Sequence, residues 1–196
     1  MENETAILIL AAGSSKRLGT PKQLLPYKEG TLLQDTISKL SDLQNQNIYV
    51  VLGAYYERIK TTIEHLPITI VKNSDWESGL GSSIAASISH IYRVKGIKKV
   101  LITLADLPLF ETSNYQALLD THLRNSLGIT LTTYTNNSGV PVIFNSNYFE
   151  SLKKLSGDEG AKSILIQNKN DVGHYKANIA YFDIDTMDDY LELIAP

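Results

Sequence analysis

Ala6-Ile7-Leu8-Ile9-Leu10 is an unbroken apolar run of five residues that stops in Ala11-Ala12-Gly13. A run this short, apolar at every position rather than at alternate ones, reads as a strand covered on both faces. Such strands belong to parallel sheets flanked by helices. The pattern recurs at residues 48–52 before Gly53, at 68–71 before Lys72-Asn73, and at 100–104 before Ala105-Asp106. Between these runs, Leu33, Ile37 and Leu40, and later Ile84, Ile88 and Ile91, recur at i, i+4, i+7, one face of a helix. Strand and helix alternating at this spacing imply an α/β fold: a doubly wound, mostly parallel, Rossmann-like sheet with helices on both faces. Beyond Gly128, residues 129–135 and 140–144 read as strands flanking a glycine-containing turn. Helices at about 147–155 and 161–167, a strand at 179–184 and a terminal helix are expected to follow. At about 100–200 residues per domain, the 196 residues are expected to form a single domain, 1–196.

Composition narrows the function classes. With no cysteine, disulfides, iron–sulfur clusters and thiolate zinc sites are excluded. Eighteen Lys and Arg against twenty-one Asp and Glu give a net charge of -3, which carries no electrostatic footprint for nucleic acid. The eleven tyrosines are spread along the chain rather than set among basic clusters, so no nucleic-acid partner is expected. The first apolar run is far shorter than the about 20 residues a bilayer span needs. The start Met1-Glu2-Asn3-Glu4 lacks the basic residues of a signal peptide. No membrane association and a cytoplasmic location are therefore expected. The histidines at 65, 90, 122 and 174 have no zinc-ligand spacing and are expected at the surface.

Ligands of doubly wound sheets bind beyond the carboxyl ends of the strands, near the point where strand order reverses. That rule selects residues 13–22, 73–83 and 106–108. The first holds Gly13-Ser14-Ser15-Lys16-Arg17-Leu18-Gly19-Thr20-Pro21-Lys22: two glycines, two serines, three cations and little bulk. Small residues let backbone N–H groups approach phosphate oxygens, and Arg17 and Lys22 can add charge-assisted hydrogen bonds. The glycines match neither G-x-G-x-x-G nor a Walker A loop, which disfavours hydride transfer and P-loop hydrolysis. A solvated strand-to-helix connection is the plain alternative.

Leu10-Ala11-Ala12-Gly13-x-Ser15-x-Arg17-Leu18-Gly19-x-Pro21-Lys22-Gln23-Leu24-Leu25-Pro26 resembles the signature of the MobA-like nucleotidyltransferases, and within them the molybdenum cofactor cytidylyltransferase group. Five further motifs extend the resemblance in order: Asn73-Ser74-Asp75-Trp76-x-x-Gly79-x-Gly81-x-Ser83, Asp106-x-Pro108, Gly139-Val140-Pro141, Gly157-Asp158-x-Gly160-Ala161-Lys162 and Asp183-Ile184-Asp185-Thr186. The resemblance implies attack by an acceptor phosphate on the α-phosphate of a nucleoside triphosphate, with pyrophosphate expelled. It implies that Lys22 is the principal catalytic cation and that Arg17 holds the leaving phosphates, with Lys16 solvated. Gly13, Ser14 and Ser15 would cradle the triphosphate, while Leu10, Ala11 and Ala12 would lie near the base. Asn73, Gly81, Ser82 and Ser83 would complete the nucleotide site. The double alanine is like that of cytidylyl-transferring members.

Each residue also has a simpler reading. Ser82 or Ser83 can be an N-cap after two glycines, and Asn73 can form an Asx-turn. Trp76 suits packing better than a pterin platform. Asp106 can cap a turn, yet by the resemblance it is a catalytic residue and a Mg²⁺ ligand, with Asp185 as the second carboxylate. Asp183 lies two residues away and points to the same side of an extended chain. Asp188 and Asp189, at the start of the terminal helix, are explained by the helix dipole. Gly139, Gly157 and Lys162 would lie on the acceptor side. Relatives carry Asp-Gln-Pro where this chain has Asp106-Leu107-Pro108, a difference that bears on the acceptor more than on the metal. The leading expectation is a Mg²⁺-dependent transfer of CMP from CTP to molybdenum-bound molybdopterin, with a molybdoenzyme as a possible partner. Transfer to a sugar or alditol phosphate, and a non-catalytic cofactor-delivery module, are the alternatives.

Overall fold

The structure, a computed structural model, describes residues 4–43 and 47–195. The first half alternates as expected: β1 (Thr5–Leu10), a small hairpin of β2 (Pro26–Tyr27) and β3 (Gly30–Thr31), α1 (Leu32–Ser41), β4 (Asn47–Leu52), α2 (Tyr56–Ile63), β5 (Thr69–Lys72), α3 (Leu80–Ile91) and β6 (Lys99–Leu104). The second half holds α4 (Thr112–Arg124), β7 (Ile129–Thr133), β8 (Ser138–Asn145), α5 (Phe149–Leu152), α6 (Lys162–Gln167), β9 (Val172–Lys176) and α7 (Met187–Ile194). Seven strands form one sheet in the order β5-β4-β1-β6-β8-β7-β9. Only β8 runs against the others.

All six residues of β1 are buried, which its uninterrupted apolar run requires. Alternate residues serve opposite layers. Ile7, Ile9 and Ala11 pack with Leu33, Ile37 and Leu40 of α1 and Leu118 of α4. Leu8, Leu10 and Ala12 pack with Ile84, Ile88 and Ile91 of α3 and with Phe149 and Leu152 of α5. Because β4 and β6 flank β1 on opposite sides, a crevice opens where β1 ends.

The strand expected at 179–184 is not one. The sheet ends at β9, and the chain returns from it as an irregular extended segment held by single bonds. Thr135 N–H donates to Ile179 O (3.3 Å) and Ile184 N–H to Asp106 O (3.3 Å). Ile179 and Tyr181 lean on the α1/α4 layer, while Ile184 is buried with Leu18, Leu25 and Leu32. A short apolar run such as Ile179 to Phe182 reports an extended chain between two apolar surfaces, and it does not require a ladder partner. α7 secures this return: Tyr190 and Leu193 pack beside Ile184, and the Tyr190 hydroxyl donates to Pro26 O (2.8 Å). Asp189 does more than oppose the dipole. Its carboxylate accepts from Thr186 N–H (2.7 Å) while Thr186 Oγ1 accepts from Asp189 N–H (3.2 Å), a capping box.

His122 is buried, not at the surface. It is the last of four inward residues on α4, after Tyr115, Leu118 and Leu119, a helical spacing that identifies the buried face. Asn125 Nδ2 donates to Thr130 Oγ1 (3.1 Å), leaving the threonine proton for His122 Nδ1 (2.8 Å), and His122 Nε2–H donates to Asn145 Oδ1 (2.9 Å). The network accommodates a neutral ring, and burial, against the opposing bond to Asn145, holds the imidazole below its ordinary value. An unfolded chain takes up this proton near pH 6.5, whereas the folded chain does so only at lower pH, so folding stability falls as the pH drops through that window. The urea midpoint is expected to fall between pH 7.5 and 5. In His122→Gln it starts lower at pH 7.5 and falls less steeply; equal slopes would remove His122 as the cause.

Candidate active site

The crevice is a cavity of about 800 Å³ bounded by residues 10–17, Lys22, Gln23, the turn from Trp76 to Leu80, Ser83, the end of β6 with Asp106, and Asp158, Asp183 and Asp185. Its floor is the continuation of β1. Ala11 N–H donates to Val51 O (3.1 Å) and Ala12 O accepts from Ala54 N–H (2.9 Å), so the chain leaves the sheet only at Gly13. A Cβ on Gly13 would meet nothing within 4 Å, so the protein itself does not demand glycine there, and the bare backbone faces open space. Ser15 has φ 53, a conformation uncommon outside glycine and asparagine. Its carbonyl accepts from Leu18 and Gly19 N–H (3.1 Å each), and its Oγ accepts from Lys22 N–H (3.1 Å). These bonds turn the loop back so that Lys22 re-enters the site.

Lys22 opens a 3₁₀ turn through Leu24. Its ammonium donates to Asp106 Oδ2, to Ile184 O (3.1 Å) and to Asp185 Oδ1 (3.5 Å). Arg17, mostly exposed, pairs with the other oxygen of Asp185 (2.7 Å). Asp183 accepts from the Tyr181 hydroxyl (3.3 Å). Burial pushes the Asp106 carboxyl up against the opposing pull of Lys22. For Lys22, burial works against the charge, but Asp106, Asp185 and Asp183 outweigh it and hold the ammonium above its ordinary range. The three carboxylates each offer an oxygen, and these oxygens lie within 4.8 Å of one another. An all-oxygen, partly buried set of this kind suits a hard divalent cation such as Mg²⁺ or Mn²⁺.

Asn73, Gly81 and Ser82 stand behind the cavity wall rather than on it. Asn73 Oδ1 accepts from Asp75 N–H (3.0 Å), an Asx-turn, while its Nδ2 donates to Ser82 Oγ (2.9 Å) and Ser83 Oγ (3.0 Å). Neither serine is the N-cap. α3 begins at Leu80 with Gly79 before it at φ 96, and Ser82 Oγ donates back to Gly79 O (2.8 Å). Gly81 is required by packing: its N–H donates to Gly157 O (2.8 Å), and a Cβ would lie 2.6 Å from Ser156 O. This contact carries Asp158 onto the cavity wall. Lys162 is exposed on α6 and Gly139 lies in β8, both off the wall. Trp76 is half-buried: it packs against the α3 layer and also borders the cavity. Leu107, the departure from the relatives, is core, packed on the α1/α4 side and turned away from the cavity. Its replacement of an amide therefore changes the core and not the cavity wall.

Gln23 had been given no role of its own. It is buried, and its Nε2 donates to Ala11 O (2.8 Å) and Gly13 O (2.9 Å), bracing the loop from behind. Among the described residues its Oε1 is the one buried side-chain oxygen or nitrogen without a partner. A polar side chain between Lys22 and Leu24, in a segment otherwise turning toward the core, was the available signal.

Nicotine blue oxidoreductase of Paenarthrobacter nicotinovorans is 30% identical over 167 residues, 82% of this chain and 80% of that protein. The bifunctional protein GlmU of Francisella tularensis subsp. novicida is 27% identical over 84% of this chain, which spans about a third (35%) of GlmU. Among solved structures, the Rv0371c homologue from Mycobacterium sp. strain JC1 superposes with a TM-score of 0.82 at 27% identity, over 98% of this chain and 96% of that one. Rv0371c of Mycobacterium tuberculosis H37Rv, in complex with manganese, gives 0.79 at 21% identity over 99% of each chain. Residues 7–172 match the MobA-like NTP transferase domain, a span that takes in β1, the glycine-rich loop, Lys22 and Asp106 and reaches the start of β9. The chain belongs to that family and is a nucleotidyltransferase by superfamily.

Proposed function

We propose that this nucleotidyltransferase moves CMP from CTP to a phosphorylated acceptor, molybdenum-bound molybdopterin, with release of pyrophosphate. The observation that carries the transfer chemistry is the meeting of Lys22 with Asp106, Asp183 and Asp185 beside the bare backbone of Gly13. In the reaction an acceptor phosphate oxygen forms a bond to the α-phosphorus, the bond to the bridging oxygen breaks, and pyrophosphate departs with the electron pair. Asp106 and Asp185, with Asp183 adjoining, would hold a Mg²⁺, which would supply neutralising charge to triphosphate oxygens. Without ligand, Lys22 and Arg17 are the counter-ions of these carboxylates. With triphosphate bound, Lys22 turns to the α-phosphate and Arg17, the more exposed of the two, to the leaving phosphates. The N–H groups from Gly13 to Arg17 bind the phosphates, and Ala11, Ala12 and Ser83 border the base. The cytidine preference rests on the Ala11-Ala12 resemblance. Leu107, which had kept a sugar or alditol phosphate open as acceptor, does not border the cavity.

Calorimetric titration with CTP, GTP, ATP and UTP, with and without Mg²⁺, tests this reading. CTP is expected to bind tightest, and only with Mg²⁺, and pyrophosphate release is expected to depend on acceptor. Preference for another base would discard the cytidylyl assignment. Binding without pyrophosphate release from any acceptor would favour a delivery module. Oxidation of a nicotinamide cofactor coupled to reduction of nicotine blue would favour the redox chemistry in the name of the Paenarthrobacter relative.

A further inference from the structure

Behind the cavity lies a second charge cluster that does not touch it. Lys39, on the inner face of α1, is 6% exposed, and its ammonium has three acceptors. They are Pro108 O (2.7 Å), Asp35 Oδ2 one turn earlier (2.9 Å) and Glu111 Oε1 (3.1 Å). Lys28, at the tip of the β2–β3 hairpin, meets the same two carboxylates, at 3.0 Å from Asp35 and 3.8 Å from Glu111. An i, i+4 pair alone would serve α1 equally well at the surface, where it costs no desolvation. Burial of the ammonium is balanced only because all three protons are taken, and one goes to a carbonyl two residues beyond Asp106.

The segment from Ala105 to Thr112 has few bonds of its own: Ala105 N–H to Leu10 O (3.3 Å) and Phe110 N–H to Leu107 O (3.1 Å). Ile184 N–H also donates to Asp106 O (3.3 Å) and Lys22 pairs with its carboxylate, while α1 adds several more ties from the other side. Thr36 Oγ1 donates to Ala105 O (3.3 Å), Lys39 holds Pro108 and Glu111, and Lys39 O accepts from Thr112 Oγ1 (3.0 Å). The hairpin that follows Lys22 is tied to the same carboxylates through Lys28. The two segments that bring Lys22 and Asp106 face to face are thus fastened to one buried point.

We propose that Lys39 is a positioning residue for nucleotidyl transfer, holding the Asp106 segment, through Pro108 and Glu111, in register with Lys22. The role rests on the transfer reading above; the placement of Asp106 does not. The test compares Lys39→Met, Lys39→Arg and Glu111→Gln with the native chain. Readouts are Mn²⁺ binding by electron paramagnetic resonance, kcat and KM for the nucleotide, and thermal unfolding. Lys39→Met is expected to weaken Mn²⁺ binding and lower kcat by about 10- to 100-fold each, as loss of groups that orient a metal ligand does, with the nucleotide KM, measured at saturating metal, within about threefold. Lys39→Arg recovers part of both. Glu111→Gln, which keeps the backbone N–H that donates to Asn114 Oδ1 (3.1 Å) and a side-chain oxygen able to accept at the start of α4, shifts both a fewfold in the same direction and remains informative if Lys39→Met does not fold. Variants that melt lower yet bind Mn²⁺ and turn over as the native chain does would overturn the proposal. A native chain that transfers no nucleotide, with Mn²⁺ affinity still dependent on Lys39, would overturn the proposed function and leave the placement of Asp106 standing.

Discussion

Lys22→Met is expected to lower turnover by about 100- to 1,000-fold, the loss typical when one preorganised donor to a developing charge is removed. The fold survives because the partner can adapt: burial already pushes the Asp106 carboxyl up, and without the ammonium it can take a proton in place of the ion pair. The same variant has a second signature. Lys22 now neutralises the carboxylates that would bind a cation, so its removal leaves Mn²⁺ only the Asp106 proton to displace: Mn²⁺ binding in the absence of nucleotide is expected to strengthen as the pH is raised while turnover collapses. Single-turnover assays and Mn²⁺ titration read the two effects separately. Unchanged turnover would take Lys22 out of the mechanism, and weakened Mn²⁺ binding would show that it orders the carboxylates rather than competing for them.

Asp106→Asn is the complementary loss. Asp106 is 3% exposed and contributes the most buried of the three carboxylates. An amide of the same shape keeps the packing but removes the charge, so Mg²⁺-dependent nucleotide binding is expected to weaken by about 100-fold and turnover with it. Asp183→Asn and Asp185→Asn, measured alongside, assign the second ligand. Asp185→Asn is expected to cost more metal affinity, as the second ligand, while the Arg17 it releases (2.7 Å) stays available to the leaving phosphates. An unaltered metal dependence in Asp106→Asn would count against Asp106 as a ligand.

The sheet could be read from the chain because its signal is local. Every residue of β1 from Ala6 to Leu10 is apolar, and the alternation that sends Ile7 to one layer and Leu8 to the other follows from the pleat alone. The same locality misled at 179–184, where a short apolar run describes an extended chain lying between two surfaces and not a paired strand. His122 was missed for a different reason: its burial is legible only once α4 is recognised as a helix with Tyr115 on the inner face.

The sequence by itself determined the parallel sheet, the loop at the end of β1, and the residue types able to hold phosphate and metal. These follow from hydrophobic period and backbone freedom, which act over a few residues. Tertiary structure alone decided which charges meet. Lys22 reaches Asp106 across 84 positions and Asp185 across 163, and Lys39 reaches Pro108 across 69. Such encounters depend on strand order and on how α7 folds the 183–185 return beneath the glycine-rich loop, and no short-range pattern encodes them. It also decided that Leu107 faces the core while Asp106 beside it faces the cavity, because both lie in the turn after β6, where no strand alternation sets side-chain direction and packing against α1 and α4 does.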